Sequence, residues 1–118
     1  MKEQIHIWLN NIEGQYNIDR KFVALNFGVY ETEQGYCIYL VGSREYDEEN
    51  DGWAEDAENF SPEIFLEIKT SMDWREFQKD VEDILSEELN KREDNPDSAF
   101  YKRIVTTGFD DAPLIRIL

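Results

Sequence analysis

Carboxylates are the side chains of this sequence whose number and spacing could do chemistry. Eight of them fall within fourteen residues that contain no lysine or arginine: Glu45, Asp47, Glu48, Glu49, Asp51, Glu55, Asp56 and Glu58. We call residues 45–58 the acidic segment. Such a density of negative charge attracts cations and repels nucleic acid and anionic membranes. The chemistry that it indicates is binding of a metal ion or of a cationic protein.

Part of the acidic segment has the spacing of an EF-hand calcium loop. Such a loop supplies oxygen ligands from its first, third, fifth and twelfth positions and turns sharply at a glycine in the sixth. Those places are held by Asp47, Glu49, Asp51, Glu58 and, in the sixth, Gly52. However, Glu49 is longer than the usual ligand, and a strand-like run precedes the segment where an EF-hand has a helix. Calcium binding is therefore an alternative, and we expect neither a metal nor a cofactor.

Aromatic side chains alternate with these carboxylates, at Tyr46, Trp53 and Phe60. Tyrosine and tryptophan often anchor protein interfaces, but they could equally fold inward and pin a long loop to the core. We favour the inward position for Trp53 and Phe60, and docking for the carboxylates, because so many like charges cost stability. We predict that a partner binds Glu45, Tyr46, Asp47, Glu48, Glu49, Asp51, Trp53, Glu55, Asp56 and Glu58.

A second set of carboxylates follows helical spacing, at Glu76, Asp80, Asp83 and Glu87. Residues three and four apart share one face of a helix, and like charges there are mildly destabilising. Lys79 offers a local partner. A solvated face is the usual explanation of such a stripe, although regularly spaced carboxylates could also imitate a phosphate backbone.

Catalytic patterns are weak. The single histidine, His6, lies far in sequence from the single cysteine, Cys37, so neither a nucleophile with its base nor a zinc cluster is indicated. Glu67-Ile68-Lys69 resembles the E-x-K element of restriction-type nucleases, but an earlier acidic ligand is missing. A net charge of −15 would also oppose DNA binding. We predict that the protein is not an enzyme.

The stretch Gly108-Phe109-Asp110-Asp111 places two adjacent carboxylates at a predicted turn. Two acids at a tip could meet a cation. Aspartate is also a routine turn former, because its side chain accepts hydrogen bonds from the backbone just ahead of it. The turn-forming explanation is the one we favour.

Hydrophobic spacing predicts the elements that position these residues. A first helix carries an apolar face of Ile5, Trp8, Leu9 and Ile12, with Gly14 placed to end it; a strand through Ile5 and Ile7 is the alternative. Two strands follow, at 22–31 and 36–41, and the polar turn between them predicts a hairpin. In the first strand one face is shared by Val23, Leu25, Phe27 and Val29.

The second half of the chain predicts a strand, a helix and a terminal hairpin. The strand covers 64–68. Asp73 and Glu76 form a capping box for the helix, and Met72 can pack onto Phe77. The apolar face of that helix consists of Trp74, Phe77, Val81, Ile84, Leu85 and Leu89. Residues 94–97 close it, and 104–109 and 114–118 pair around 110–113. The order α-β-β-β-α-β-β predicts one α+β domain over residues 1–118, with two main helices on a largely antiparallel sheet.

Composition bounds the class of protein. A chain of 118 residues with 41% hydrophobic and 14% aromatic residues is too apolar for a disordered acidic tail. One cysteine excludes an internal disulfide framework and fits a reducing compartment. The sequence predicts neither a signal peptide nor a membrane span. We therefore expect a cytoplasmic protein that binds neither nucleic acid nor membrane directly.

In size, charge, α+β build and the aromatic-laced acidic stretch from Tyr46 to Phe60, the chain resembles the immunity proteins of bacterial polymorphic toxin systems. The resemblance implies a stoichiometric inhibitor that covers the active site of a basic toxin, such as a nuclease. The negative charge of the chain agrees with this implication, because an acidic surface complements the cationic nucleic-acid groove of a nuclease and speeds its capture. The alternatives are a DNA mimic that occupies a DNA-binding protein and a calcium-binding loop protein.

Overall fold

The computed structural model describes residues 1–55 and 64–118 as three helices and a five-stranded sheet. In chain order the elements are α1 (Lys2–Gln15), β1 (Ala24–Thr32), β2 (Gly35–Ser43), α2 (Gly52–Glu55), β3 (Phe65–Lys69), α3 (Trp74–Asn90), β4 (Ile104–Phe109) and β5 (Ile115–Arg116). The predicted α+β class and the predicted order of elements are confirmed. The sequence did not predict α2, a single turn of helix inside the acidic segment.

The strands lie in the order β3-β2-β1-β4-β5. Both predicted hairpins are present, since β1 pairs antiparallel with β2 and β4 pairs antiparallel with β5. The two hairpins are joined by a parallel ladder between β1 and β4, which runs from Ala24 opposite Ile104 to Val29 opposite Phe109. The sheet is therefore mostly antiparallel with one parallel pair at its centre, and β1 is its middle strand.

The hydrophobic core lies between one face of the sheet and the helices α1 and α3. The predicted apolar face of α1 is buried throughout. In β1 the prediction holds for Leu25, Phe27 and Val29, but Val23 precedes the strand and is exposed. In α3 the prediction was wrong for Trp74, which is 43% exposed because it stands in the first turn, at the end of the sheet.

The helix ends differ in detail from the sequence-based expectation. Gly14 does not end α1, which continues to Gln15 and stops where Tyr16 takes an extended conformation. At the start of α3, Asp73 is the N-cap as predicted, and its Oδ1 accepts a hydrogen bond from the backbone N–H of Arg75 at 2.8 Å. The helix ends at Asn90, before the turn at 94–97. No helix within the described residues combines the length and the apolar composition needed to cross a bilayer.

A buried carboxylate joins α1 to α3. Glu88 is 1% exposed, and its Oε1 contacts Nδ1 of His6 on α1. Its Oε2 accepts a hydrogen bond from Lys91 Nζ at 3.2 Å and lies 3.6 Å from Nη1 of Arg92. Burial alone would raise the pKa of Glu88, but the hydrogen bonds from His6 and Lys91 and the charge of Arg92 outweigh it and lower that pKa. The carboxylate is therefore buried, but it is charge-balanced by the largely exposed His6 and Lys91 and by the mostly buried Arg92.

Candidate partner-binding surface

The described part of the acidic segment packs on the face of the sheet opposite α1 and α3. Side chains on that face alternate along the strands with core residues, and they include Asn26, Tyr39 and Val41. Together with Asp51 and Ala54 they line a cavity of about 450 Å³. The segment thus covers a sheet face that would otherwise be open.

Burial of Trp53 and two contacts to the C-terminal hairpin fix the segment in this position. Trp53 of α2 is 8% exposed, and its ring meets that of Tyr46 edge-on with 5.3 Å between centroids. The guanidinium of Arg116 on β5 lies 5.8 Å from the Tyr46 ring centroid. One carboxylate oxygen of Asp51 accepts a hydrogen bond from the backbone N–H of Leu114 at 3.0 Å. The structure therefore places Trp53 inward, and Tyr46 is half-buried beside it.

The backbone before α2 is held by short side-chain turns. Asp47 Oδ1 accepts a hydrogen bond from the backbone N–H of Glu49 at 2.9 Å, and Asn50 Oδ1 accepts one from Gly52 at 2.8 Å. Such turns substitute a side-chain oxygen for a backbone carbonyl and fix the local chain direction. The side chains of the segment therefore project from an ordered backbone.

The five carboxylates between positions 45 and 51 are all exposed, and two of them have no partner among the described residues. Glu48 is paired with Arg116, with 3.6 Å between Oε1 and Nη1. Glu45 and Glu49 are exposed and make neither an ion pair nor a side-chain hydrogen bond within the described part of the chain. The acidic segment thus presents anchored negative charge to solvent.

Some predicted residues are not placed. Glu55 is the last residue of α2, whereas Asp56, Glu58 and Phe60 lie outside the described residues. Glu58 is the twelfth position of the calcium-loop spacing, so that position is not placed. Within residues 1–55 and 64–118, no three Asp, Glu, His or Cys side chains come close enough together to hold a metal ion.

The turn at Gly108-Phe109-Asp110-Asp111 lies beside the end of β1. Because β1 and β4 are parallel, their C-terminal ends meet at one edge of the sheet, and the N–H of Asp110 donates to the carbonyl of Val29 at 3.1 Å. Trp74 approaches the same edge from the start of α3. These elements enclose a groove of about 610 Å³ whose lining includes Tyr30, Glu31, Trp74, Phe109, Asp110 and Asp111. We call it the aromatic groove.

Tyr39 links this groove to the sheet face covered by the acidic segment. Its ring lies across Gly28 of the neighbouring strand, and its hydroxyl donates a hydrogen bond to Oδ1 of Asp110. Burial, together with this bond to a carboxylate, raises the pKa of Tyr39. The Tyr39 hydroxyl therefore holds the Asp110 side chain in a fixed position. A residue that only forms a turn would not need this contact.

The aromatic groove is what the sequence-based interpretation missed. Trp74 was expected on the buried face of its helix, and Tyr30 and Tyr39 were not singled out. Alternation did carry a signal, since Tyr30 follows Val29 and must therefore point to the other face of β1. The convergence of β1, β4 and α3 at one edge had no local signal.

The carboxylate stripe on α3 is partly neutralised. Glu87 Oε1 lies 2.8 Å from Nζ of Lys2 on α1, and Asp83 is 3.7 Å from Nζ of Lys79, the local partner that the spacing predicted. Glu76 and Asp80 are exposed. This face therefore offers less free negative charge than the acidic segment does.

The residues considered for catalysis do not converge. His6 lies between α1 and α3, whereas Cys37 is buried and alternates with core residues of β2, so it belongs to the opposite sheet face. Glu67 and Lys69 are exposed on β3, an edge strand. Absence of an enzymatic function stays a prediction.

No protein-family model matches this chain, and no curated protein or solved structure matches it either. A functional conclusion therefore depends on the geometry and the charge of the surfaces described above.

Proposed function

We propose that this chain is a cytoplasmic protein-binding module that captures a cationic protein, as a stoichiometric inhibitor of a basic toxin such as a nuclease. One observation carries the proposal. The acidic segment is fixed to the sheet by Trp53 and Asp51, yet it leaves Glu45 and Glu49 exposed and without a partner in the described structure. Anchored, uncompensated charge is what an electrostatic docking surface needs.

The charge of the whole chain supports the same proposal. A net charge of −15 on 118 residues disfavours the compact state by self-repulsion. A cationic partner relieves that repulsion in the complex, and the attraction accelerates the encounter by orders of magnitude at low salt. The charge alone indicates only a cationic partner. The assignment as a toxin inhibitor is more specific, and it comes from the resemblance to immunity proteins.

The test is capture of a partner from the source cell, followed by association kinetics at increasing ionic strength. We expect a basic partner whose association slows strongly between low salt and ~0.5 M, because the Debye length then falls well below ~10 Å. A neutral or acidic partner, or an association rate indifferent to salt, would contradict the proposal.

Charge reversal locates the surface. Glu45→Lys, Glu48→Lys and Glu49→Lys together should leave the fold intact, because none of these side chains accepts a hydrogen bond from the backbone of the described residues, and should abolish capture. The matched control reverses Glu33, Glu93 and Asp94, which are also exposed, and so changes the net charge by the same amount elsewhere. If the two triple variants lose affinity equally, only net charge matters. If the first binds normally, the face of α3 with Glu76 and Asp80 becomes the next candidate surface.

A further inference from the structure

Three aromatic and three acidic side chains meet in the aromatic groove at the end of β1 and β4. We propose that this groove receives an arginine side chain of the partner protein. The inference rests on the proposed function, which it deepens by naming the chemical group recognised and the place where it binds. It is carried by the exposed aromatic surface, by the charge around it and by its continuity with the acidic segment.

Two exposed rings and one buried ring form the walls of the groove. Tyr30 is 45% exposed and Trp74 is 43% exposed, whereas Phe109 is buried and meets the Trp74 ring edge-on at 5.7 Å between centroids. Trp74 already lies near a guanidinium, since the Cζ atom of Arg75 is 4.9 Å from its ring centroid. Aromatic faces attract cations within about 6 Å, and arginine also stacks on them through its planar group.

The rim of the groove is negative. Glu31, Asp110 and Asp111 are all exposed, and the residues that line the groove include no lysine or arginine. One oxygen of Asp110 accepts the Tyr39 hydroxyl. Within the described residues, the Glu31 and Asp111 side chains make no ion pair or hydrogen bond. A guanidinium would supply both the missing charge and several donors, which carboxylates accept in pairs.

Other occupants fit less well. These carboxylates do not form a cluster that could hold a metal ion within the described residues. Nucleic-acid bases stack on aromatic side chains, but three carboxylates at the rim would repel the phosphates that accompany them. The volume, about 610 Å³, lies within the ~300–1,000 Å³ typical of ligand sites. A cationic side chain can both stack on the aromatic rings and pair with the carboxylates of the rim.

The groove is also continuous with the acidic segment. Phe109, Asp110 and Ala112 line both the aromatic groove and the neighbouring cavity, which Asp51 and Ala54 of the acidic segment help to line. A protein docked on the acidic segment can therefore reach the groove across this shared wall. For that reason we assign the cation to a side chain of the docked protein.

The direct test uses N-acetyl-arginine-N-methylamide as the probe, with the neutral citrulline analogue as its matched control. The indole N–H signal of Trp74 is followed by NMR, while Trp8 and Trp53, both buried, serve as internal references. We expect a saturable shift of the Trp74 signal with the arginine probe alone. The shift at a fixed probe concentration should fall severalfold in Asp111→Asn but not in Asp94→Asn. Equal shifts with the citrulline analogue, or no saturable shift, would overturn the proposal.

The second arm uses the captured partner and the variants Trp74→Leu and Asp111→Asn, with Asp94→Asn again as the control. We expect Trp74→Leu to weaken binding at least about tenfold, as loss of an interface anchor does. Salt-sensitive capture that neither variant weakens would overturn the groove assignment and leave the proposed function standing. Saturable arginine binding without any cationic partner in the cell would support the groove and overturn the proposed function.

Discussion

Replacing Gly28 by alanine should destabilise the protein, although the same change at Gly14 should stabilise it. A Cβ atom on Gly28 would lie less than 3.0 Å from three atoms of the Tyr39 side chain, whereas one on Gly14 would have nothing within 4 Å. Tyr39 can escape this clash only by swinging its ring outward, which breaks the hydrogen bond from its hydroxyl to Asp110.

The expected change in unfolding free energy follows from the loss of the hydrogen bond between Tyr39 and Asp110. A hydrogen bond to a charged group contributes about 1.5–3 kcal/mol, and half-exposure of Tyr39 places this one toward the lower end. Alanine recovers about 0.5–1 kcal/mol relative to glycine by reducing backbone entropy in the unfolded chain. We therefore expect Gly28→Ala to cost about 0.5–1.5 kcal/mol of unfolding free energy, and Gly14→Ala to add about 0.5 kcal/mol because it lies in a helix.

Urea unfolding measures both values, and a double-mutant cycle tests the cause. A loss of about 0.5–1.5 kcal/mol should lower the urea midpoint by roughly 0.3–1 M without a change in slope. In a Tyr39→Ala background the clash is gone, so adding Gly28→Ala should no longer destabilise the chain. If Gly28→Ala costs the same with and without the Tyr39 ring, the reasoning is wrong.

Two further predictions concern the buried groups that organise the surface and the helices. Trp53→Ala should cost about 3–5 kcal/mol of stability in urea unfolding, because the side chain is buried; a cost below ~1 kcal/mol would show that Trp53 does not anchor the acidic segment. Glu88→Gln should cost about 1–3 kcal/mol at pH 7, and its difference from the parent should shrink as the pH falls below 4.5. The partners of Glu88 lower its pKa from 4.5, so the stabilisation by its ionised form is present above that value and is lost below it. Unfolding curves at pH 7, 5 and 3 measure this dependence, and a difference that is constant with pH would contradict it.

The elements of the fold were predictable because their signals are local. The 3.6-residue spacing in α3 predicted the buried positions Phe77, Val81, Leu85 and Leu89. The N-cap at Asp73 and the turn between β1 and β2 were also visible in the sequence. The same spacing could have identified Glu88, since it lies on the buried face of α3 beside Leu85 and Leu89. Its partner His6 could not be found in this way, because His6 comes from a distant helix.

The parallel pairing of β1 with β4 was beyond local reasoning. Its buried side-chain hydrogen bonds run from Thr106 Oγ1 to Asn26 Oδ1 at 2.9 Å and from Thr107 Oγ1 to the carbonyl of Phe27 at 2.8 Å, each joining residues 80 positions apart. The aromatic groove depends on that pairing, since it brings Asp110 and Asp111 to the end of β1. The acidic segment and the inward position favoured for Trp53 were both inferred from the sequence, but the sheet face on which Trp53 packs was not.

The same parallel pairing also sets the order in which the chain can fold. During synthesis β1 and β2 can pair early, because a short turn joins them and closes a small loop. The other edge of β1 has to wait for β4, which leaves the ribosome roughly sixty residues after β2. At about 5–20 residues per second, that interval lasts several seconds. Throughout it the apolar central strand of the sheet is paired on one side only, and the abundant negative charge of the nascent chain opposes its association with other chains.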